Sequence, residues 1–307
     1  MDRPPRASPI RGLDHPENTG APNDLPFRSG FIAVLGRPNV GKSTFVNRIV
    51  GEKVSITAKS PNTTRTQLRG VLHGPGFQAI FVDTPGIHKP RTPLGERLNE
   101  AALSAVGDVD ICILIIDASK PIGVLERSIA RRLPRESVIV LNKIDRLNRT
   151  GLLQQLARSA DELTVKDAEY FPVSARTGEG MTELVSYLTS RLTEGPRFYE
   201  EDMVRDTPEP FYVAELVREQ LLIRAREELP HAIACRITEW DWPYIACEIL
   251  VERESQKAIV VGRGGSVLKD AGIAVRQHLP PGTYLSLQVR VEPNWQKRTD
   301  VIERLGY

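Results

Sequence analysis

Eight consecutive residues, Gly36-Arg37-Pro38-Asn39-Val40-Gly41-Lys42-Ser43, have the spacing of a loop that cradles phosphates. In such a loop the backbone N–H groups turn inward onto phosphate oxygens, and the N-terminus of the following helix adds positive potential. Lys42 reaches the β- and γ-phosphates and the Ser43 hydroxyl ligates Mg²⁺. Gly36, Asn39, Val40, Gly41 and Thr44 supply the loop backbone and the helix start. A glycine-rich turn without a ligand is the plain alternative. The neighbours argue against it, because the apolar run Phe31-Ile32-Ala33-Val34-Leu35 precedes the loop and a helix-like stretch, 43–50, follows it.

A phosphate loop takes any nucleoside triphosphate, so the base is read elsewhere. Asn142-Lys143-Ile144-Asp145 follows an apolar run at 137–141. The Asp145 carboxylate can accept from N1–H and the exocyclic amine of guanine. Adenine would leave that carboxylate unpaired, at a cost of about 1–3 kcal/mol or more. Asn142 is expected to donate towards N7, and the Lys143 stem to lie over the base. Ser174-Ala175-Arg176 follows Tyr170-Phe171-Pro172-Val173. There the Ala175 N–H is expected to donate to guanine O6. The ligand is therefore GTP or GDP with Mg²⁺.

Two further segments sense the γ-phosphate. Asp83-Thr84-Pro85-Gly86 follows the run 79–82. Asp83 is expected to hold a Mg²⁺-bound water, and the Gly86 N–H to bond the γ-phosphate. In Pro61-Asn62-Thr63-Thr64-Arg65, Thr64, with Thr63 as second choice, closes over Mg²⁺ and the γ-phosphate and releases after hydrolysis. Lys42, Thr64 and Gly86 are the expected catalytic contacts. These motifs in this order resemble the translation-factor-like branch of small GTPases. Ras-type proteins carry a water-orienting glutamine after the switch glycine. Here Ile87 stands there, so slow intrinsic hydrolysis is expected.

The loops must be carried by strands. Strand-like runs fall near 31–35, 68–73, 77–82, 111–116, 137–141 and 169–173, and helix-like patterns near 43–50, 93–105, 122–132, 150–161 and 179–192. Alternation of this kind, with nearly wholly apolar strands, predicts an α/β fold with a doubly wound, mostly parallel sheet. Its ligand loops follow the strands, as open sheets require. The runs 68–73 and 77–82 read as a hairpin. This P-loop GTPase-like domain is assigned to 30–195, after a flexible N-terminal tail, 1–29, that lacks a signal-peptide core. A charged, proline-bearing stretch, 196–209, reads as a linker or an extended wrap.

From 210 to 307 the pattern restarts as a small α+β domain. Helix 211–228, strands 231–240 and 244–253, helices 256–261 and 267–278, strand 283–291 and a last helix 294–305 are predicted. Between the two short helices lies Gly262-Arg263-Gly264-Gly265, the G-x-x-G clamp that KH domains place on single-stranded RNA. The loop's charge context fits. Residues 209–254 hold five Lys/Arg against ten Asp/Glu, whereas 255–307 hold eight against four. Arg263, Lys269 and Arg276 are the candidate RNA contacts beside Gly262, Gly264 and Gly265. Arg290, Lys297 and Arg298 are candidates to flank the groove. Trp295 is read as a core residue more readily than as a base-stacking one. Trp240 and Trp242 fall at a strand-to-strand turn without an assigned role.

The chain has 307 residues, enough for two domains, with 40% hydrophobic and 26% charged residues and a net charge of +2. That near-balanced charge does not by itself argue for nucleic acid. No apolar run reaches membrane-spanning length. Cys112, Cys235 and Cys247 lack C-x-x-C spacing and read as buried reduced thiols of a cytoplasmic protein. The five scattered histidines suggest no structural metal.

Taken with Ile87-His88-Lys89-Pro90 after the switch and Glu252-Arg253-Glu254-Ser255-Gln256-Lys257 before the G-x-x-G loop, the motifs resemble the Era family of bacterial GTPases over nearly everything after residue 30. The resemblance implies a GTPase domain joined to a KH domain. It also implies binding of 16S ribosomal RNA near its 3′ end, help in assembling the small ribosomal subunit, and loose peripheral association with the inner membrane. A monomer is expected. Gly264 stands where the family often has lysine, which either weakens the phosphate contact or leaves Arg263 to supply it, and the long tail is not a common family feature. Two other readings are an RNA chaperone in which nucleotide is structural and a membrane-associated GTPase with little RNA affinity.

Overall fold

Near-continuous apolar stretches cannot lie on a surface, and here they form the middle of a sheet covered on both faces. In the computed structural model, which describes residues 26–58, 60, 63–224 and 232–307, the strands β1 (Arg28–Leu35), β2 (Leu68–Gly74), β3 (Phe77–Asp83), β4 (Ile111–Asp117), β5 (Val138–Asn142) and β6 (Glu169–Val173) alternate with helices. The helices are α1 (Lys42–Val50), α2 (Pro93–Ser104), α3 (Val124–Ala130), α4 (Arg149–Glu162) and α5 (Met181–Ser190). Strand order is β2-β3-β1-β4-β5-β6. All neighbours are parallel except the β2–β3 hairpin.

Side-chain alternation divides each buried strand between two layers. Ile111, Ile113 and Ile115 of β4 join the cluster built with α1 and α5, and Leu114 and Ile116 join the cluster with α2, α3 and α4. The C-terminal ends of β1, β3, β5 and β6 all point to one edge, where the predicted ligand loops emerge.

The boundaries differ from the sequence expectation in places. β1 begins at Arg28, so the last residues assigned to the tail belong to the sheet; residues 1–25 lie outside the described part. A short β7 (Thr193–Glu194) pairs antiparallel with Arg28 and Ser29. Of the stretch 196–209, residues 196–208 form an extended strap on the sheet and Glu209 already opens the next helix. Val71 donates to the Val204 carbonyl at 2.9 Å and Asp206 to the Arg69 carbonyl at 3.2 Å. Buried Gln78 accepts from the N–H groups of Phe198 and Tyr199 at 2.9 and 3.1 Å. Its amide donates to the Tyr199 carbonyl at 2.8 Å.

The second unit follows the predicted order as α6 (Glu209–Arg224), β8 (Ala234–Asp241), β9 (Tyr244–Val251), α7 (Glu254–Val261), α8 (Ser266–Arg276), β10 (Tyr284–Val291) and α9 (Thr299–Arg304). The far end of the predicted 211–228 helix and the first residue of the 231–240 strand lie outside the described residues. β9 is central, antiparallel to β8 and parallel to β10. The predicted last helix is split into a single 3-10 turn at Trp295–Lys297 and α9, with Arg298 extended between them. Trp295 is fully buried and donates to the Ala232 carbonyl at 2.8 Å, which makes it a core anchor that cannot stack on a base. It shares a cluster with Leu94 and Leu98 of α2 and with Val301, Ile302 and Leu305. The two units therefore meet through packed apolar side chains. Cys112, Cys235 and Cys247 are buried free thiols.

Candidate functional site

The phosphate loop runs from the end of β1 into α1. Gly41 caps α1 with φ of 102°, and a Cβ there would come within 2.4 Å of the Asn142 amide. Only glycine meets both conditions. Lys42 is buried, and its ammonium donates to the carbonyls of Gly36 and Arg37 at 3.2 and 3.0 Å. Burial pulls its pKa down to about 8, against an opposing pull from Asp83. Asn39 sits at φ of 64°. One cavity is lined by Pro38, Lys42, Ser43, Thr64 and Gly86 among others. A second, lined by Asn142, Lys143, Asp145, Ala175 and Arg176, shares Gly41 and Thr44 with the first. The two adjoin at Gly41 and Thr44, one at the phosphate end and the other at the base end.

At the phosphate end three oxygens converge. The hydroxyls of Ser43 and Thr64 lie 2.9 Å apart, and Thr64 donates to Asp83 Oδ2 at 3.2 Å. Thr63 instead donates to the Ser60 carbonyl at 2.7 Å. Both threonines line the cavity, and it is the Thr64 hydroxyl that meets Ser43 and Asp83; Pro61 and Asn62 lie outside the described residues. Asp83 is fully buried, and burial raises its pKa, with Lys42 acting against the rise. Its Oδ1 has no hydrogen-bond partner. A buried carboxylate with an unused oxygen beside two hydroxyls is the donor set of a small hard cation, so the residues fit Mg²⁺. A Cβ at Gly86 would stand 2.8 Å from the Cα of Pro38, so the switch loop and phosphate loop touch backbone to backbone. The Ile87 N–H donates to the Gly36 carbonyl at 3.1 Å. The Ile87 side chain turns away into the cluster with Leu35 and Ile116.

At the base end the structure alters one expectation. Asn142 uses one N–H of its Nδ2 on the Val40 carbonyl at 2.8 Å, which leaves the second N–H for a base, and its Oδ1 accepts from Lys143 N at 2.8 Å and Ala175 N at 3.0 Å. The Ala175 N–H, assigned to guanine O6, is thus engaged by Asn142. The physical reason is burial. Asn142 is 2% exposed, and a buried amide takes partners from the loops that enclose it. It ties the phosphate loop to both base loops. Asp145 accepts from Ser174 Oγ at 2.6 Å on Oδ1 and from the Arg176 guanidinium on Oδ2. The Ser174 hydroxyl and Arg176 hold its carboxyl below the usual range.

Asp117, at the end of β4, was not singled out from the sequence. It pairs with Lys143 Nζ at 2.7 Å, and the same ammonium donates to the Asn39 carbonyl at 2.6 Å. Burial raises the Asp117 pKa, but its bonds to Lys143 and Ser119 outweigh this and hold it low. A carboxylate closing an apolar strand beside two loop-bearing strands was the available signal.

In the second unit Gly262, Arg263, Gly264 and Gly265 join α7 to α8. A Cβ at Gly264 or Gly265 would meet nothing, so this backbone is open to an approaching strand. Arg263 in the loop, Lys269 in the first turn of α8 and Arg276 at the far end of that helix are exposed. Arg290 and Arg298, expected to flank the groove, are about half exposed and ion-paired. Arg290 faces Glu248 and Glu292, and Arg298 pairs with Glu292 and Asp300. Neighbouring carboxylates on β9 and at the end of β10 satisfy them. Lys297 lies in the 3-10 turn. Trp240 and Trp242 are exposed at the β8–β9 turn.

A phosphate loop, two γ-phosphate-sensing loops and a guanine-type base loop on a parallel sheet, followed by a G-x-x-G loop between helices, define a P-loop GTPase joined to a KH domain. The family model described as 50S ribosome-binding GTPase matches residues 31–143, and the KH domain model matches 228–296. GTPase Era of Mycobacterium sp. (strain KMS) is 42% identical over 92% of this chain and 99% of its own length. GTPase Era of Geobacter metallireducens is 38% identical over 93% and 99%. A crystal structure of Era with MgGDPNP and nucleotides 1506–1542 of 16S ribosomal RNA matches with TM-score 0.85 and 35% identity, covering 92% of this chain and 99% of the other. The GDP·AlF4⁻ complex of an Aquifex aeolicus Era variant gives 0.84 and 34% over the same shares. This chain belongs to the Era family of GTPases.

Proposed function

We propose that the chain is a GTP-driven switch that binds 16S ribosomal RNA near its 3′ end and assists assembly of the small ribosomal subunit. The observation that supports this most is the near-full-length match to an Era caught with both a GTP analogue and that RNA. The description of the GTPase family model names the large subunit, but it covers only part of the first domain, whereas the RNA-bound relative spans both. We assign phosphate chemistry to 30–195 and RNA binding to 210–307, with 196–209 joining them.

In this reading the loop amides and Lys42 hold the β- and γ-phosphates, and Asp145 selects guanine. Asn142 and the Lys143–Asp117 pair keep the base loops in register with Asn39 and Val40. Ser43, Thr64 and Asp83 would hold Mg²⁺, which would supply charge neutralisation to the phosphates. The Gly86 N–H meets the γ-phosphate. Ile87, buried away from the recess, leaves the attacking water to another group, so hydrolysis without a partner is slow. Arg263, Lys269, Arg276 and the open Gly262–Gly265 backbone grip RNA. The family reading also includes peripheral contact with the inner membrane. No helix among the described residues is long and apolar enough to cross one.

Affinity for a 16S 3′-end oligonucleotide, measured with a non-hydrolysable GTP analogue and with GDP, tests the switch. A preference of about tenfold or more for the analogue is expected. A difference under about threefold, well below 1 kcal/mol, supports a constitutive chaperone instead. Single-turnover hydrolysis in the same samples without RNA should be slow; a rate like that of a partner-activated Ras-type enzyme contradicts the assignment of Ile87.

A further inference from the structure

Helix α6 carries three charged residues that no expectation used, and all three are buried: Glu215, Arg218 and Glu219 are 4%, 0% and 2% exposed. One face of a helix normally accommodates such groups in water. Here α6 packs on β8 and α8 and reaches the first domain through hydrogen bonds to Lys53, Thr57 and Thr63.

These side chains end on the γ-phosphate-sensing segment before β2. Glu219 Oε1 accepts from the Thr57 N–H at 2.8 Å, and its Oε2 pairs with Lys53. The Arg218 guanidinium donates from Nε to Glu215 Oε1 at 2.8 Å, and from Nη2 both to Glu215 Oε2 at 2.5 Å and to the Thr63 carbonyl. Thr63 immediately precedes Thr64, whose hydroxyl faces Ser43 and Asp83. Thus α6 grips the segment at Thr57 and at Thr63, on the approach to the residue that must close on the cation. A third hold follows, where Arg65 lies 5.2 Å from the Trp295 ring and 5.1 Å from the Tyr307 ring.

Stability is a poor reason for this arrangement. Burying an ion pair costs desolvation that the pairing barely repays. Arg218 Nη1 also has no hydrogen-bond partner. An apolar pair of the same volume would fill the space as well. What the apolar pair would lack is a charged fork holding one backbone carbonyl of the other domain in place.

We propose that Arg218, held by Glu215, is a positioning residue for GTP hydrolysis: from the second domain it fixes the Thr63 carbonyl and thereby sets Thr64 against Ser43 and Asp83. Glu219 fixes the same segment at Thr57. Closure of Thr64 and seating of α6 are then one event, and whatever displaces one displaces the other. The proposal rests on the reading of Thr64 as a Mg²⁺ ligand.

The test uses the full chain and reads the Mg²⁺ concentration for half-maximal single-turnover GTP hydrolysis, the affinities for GDP and for a GTP analogue, and the melting temperature. Glu215→Leu with Arg218→Met removes the pair without stranding a buried charge. The expected result is a Mg²⁺ requirement raised about tenfold and analogue affinity lowered by a similar factor, with GDP affinity held within about twofold. A lowered melting temperature with unchanged Mg²⁺ requirement and unchanged GTP-to-GDP preference overturns the proposal. Arg218→Lys retains the charge for Glu215 but loses the fork, so it keeps the question open to refutation should the double variant fail to fold. It is expected to raise the requirement about threefold, and no rise overturns the proposal. Thr64→Ala separates the two levels: if it leaves the Mg²⁺ requirement unchanged, the ligand assignment itself fails. If it raises the requirement while the Arg218 variants do not, only the positioning role fails.

Discussion

Lys42 is an ammonium held in a dry recess by two carbonyls, and its environment changes when phosphates arrive. Burial lowers its pKa to about 8 in the protein without nucleotide. The unfolded chain binds that proton more tightly than the folded one, so stability from this group rises with pH between about 8 and 10.5 and is lower below. Phosphates favour the charged form and raise the pKa again. Binding of GDP without Mg²⁺ at pH 8 should therefore take up about half a proton, and almost none at pH 6.5. Calorimetry in two buffers of different ionisation enthalpy measures this; equal proton uptake at both pH values would contradict it. Residue-scale chemistry of this kind was largely readable in advance, because Gly41, Lys42, Ser43 and Asp145 act through spacing along the chain. Asp117 was not, since its partner Lys143 is brought to it by the pairing of β4 with β5.

Loops inherit their positions from strands, and the close passage of Gly86 by Pro38 follows from the parallel pairing of β1 with β3. An added methyl at Gly86 meets backbone, which cannot rotate away as a side chain can. Gly86→Ala should shift the switch loop off the phosphate loop. Analogue affinity is expected to fall about tenfold or more while GDP affinity stays within about twofold. Equal losses for both nucleotides would place the damage in the phosphate loop instead. Strand and helix positions followed from period and flanking glycines. Helix ends were harder: the split between Trp295–Lys297 and α9 is set by Trp295 entering the core, a tertiary demand that no local preference announces.

Across the whole molecule the strap 196–208 and helix α6 bind the domains to each other. Gln78 carries the strap through three hydrogen bonds from a fully buried position. Gln78→Leu would strand two backbone N–H groups and a carbonyl against an apolar side chain, at a cost of about 2–3 kcal/mol. Denaturant unfolding should show that loss, together with faster proteolysis between Pro196 and Pro210. Unchanged stability would mean that water replaces the lost partners. Composition marked this stretch as a linker or wrap, and it is the wrap. The sequence showed its lack of periodicity, but the acceptor that orders it sits more than a hundred residues earlier.

Read alone, the chain determined the phosphate loop, the strand-end loops at 142–145 and 174–176, the alternating sheet and the G-x-x-G loop between helices. Each of these depends on backbone conformation and spacing within a few residues. Only the tertiary structure decided which buried polar groups meet: Asn142 on Val40, Asp117 on Lys143, and Arg218 on a carbonyl 155 positions earlier. Such pairings arise because burial strips polar groups of water and compels them to take whichever partner the packing brings within reach, and that choice belongs to the assembled fold.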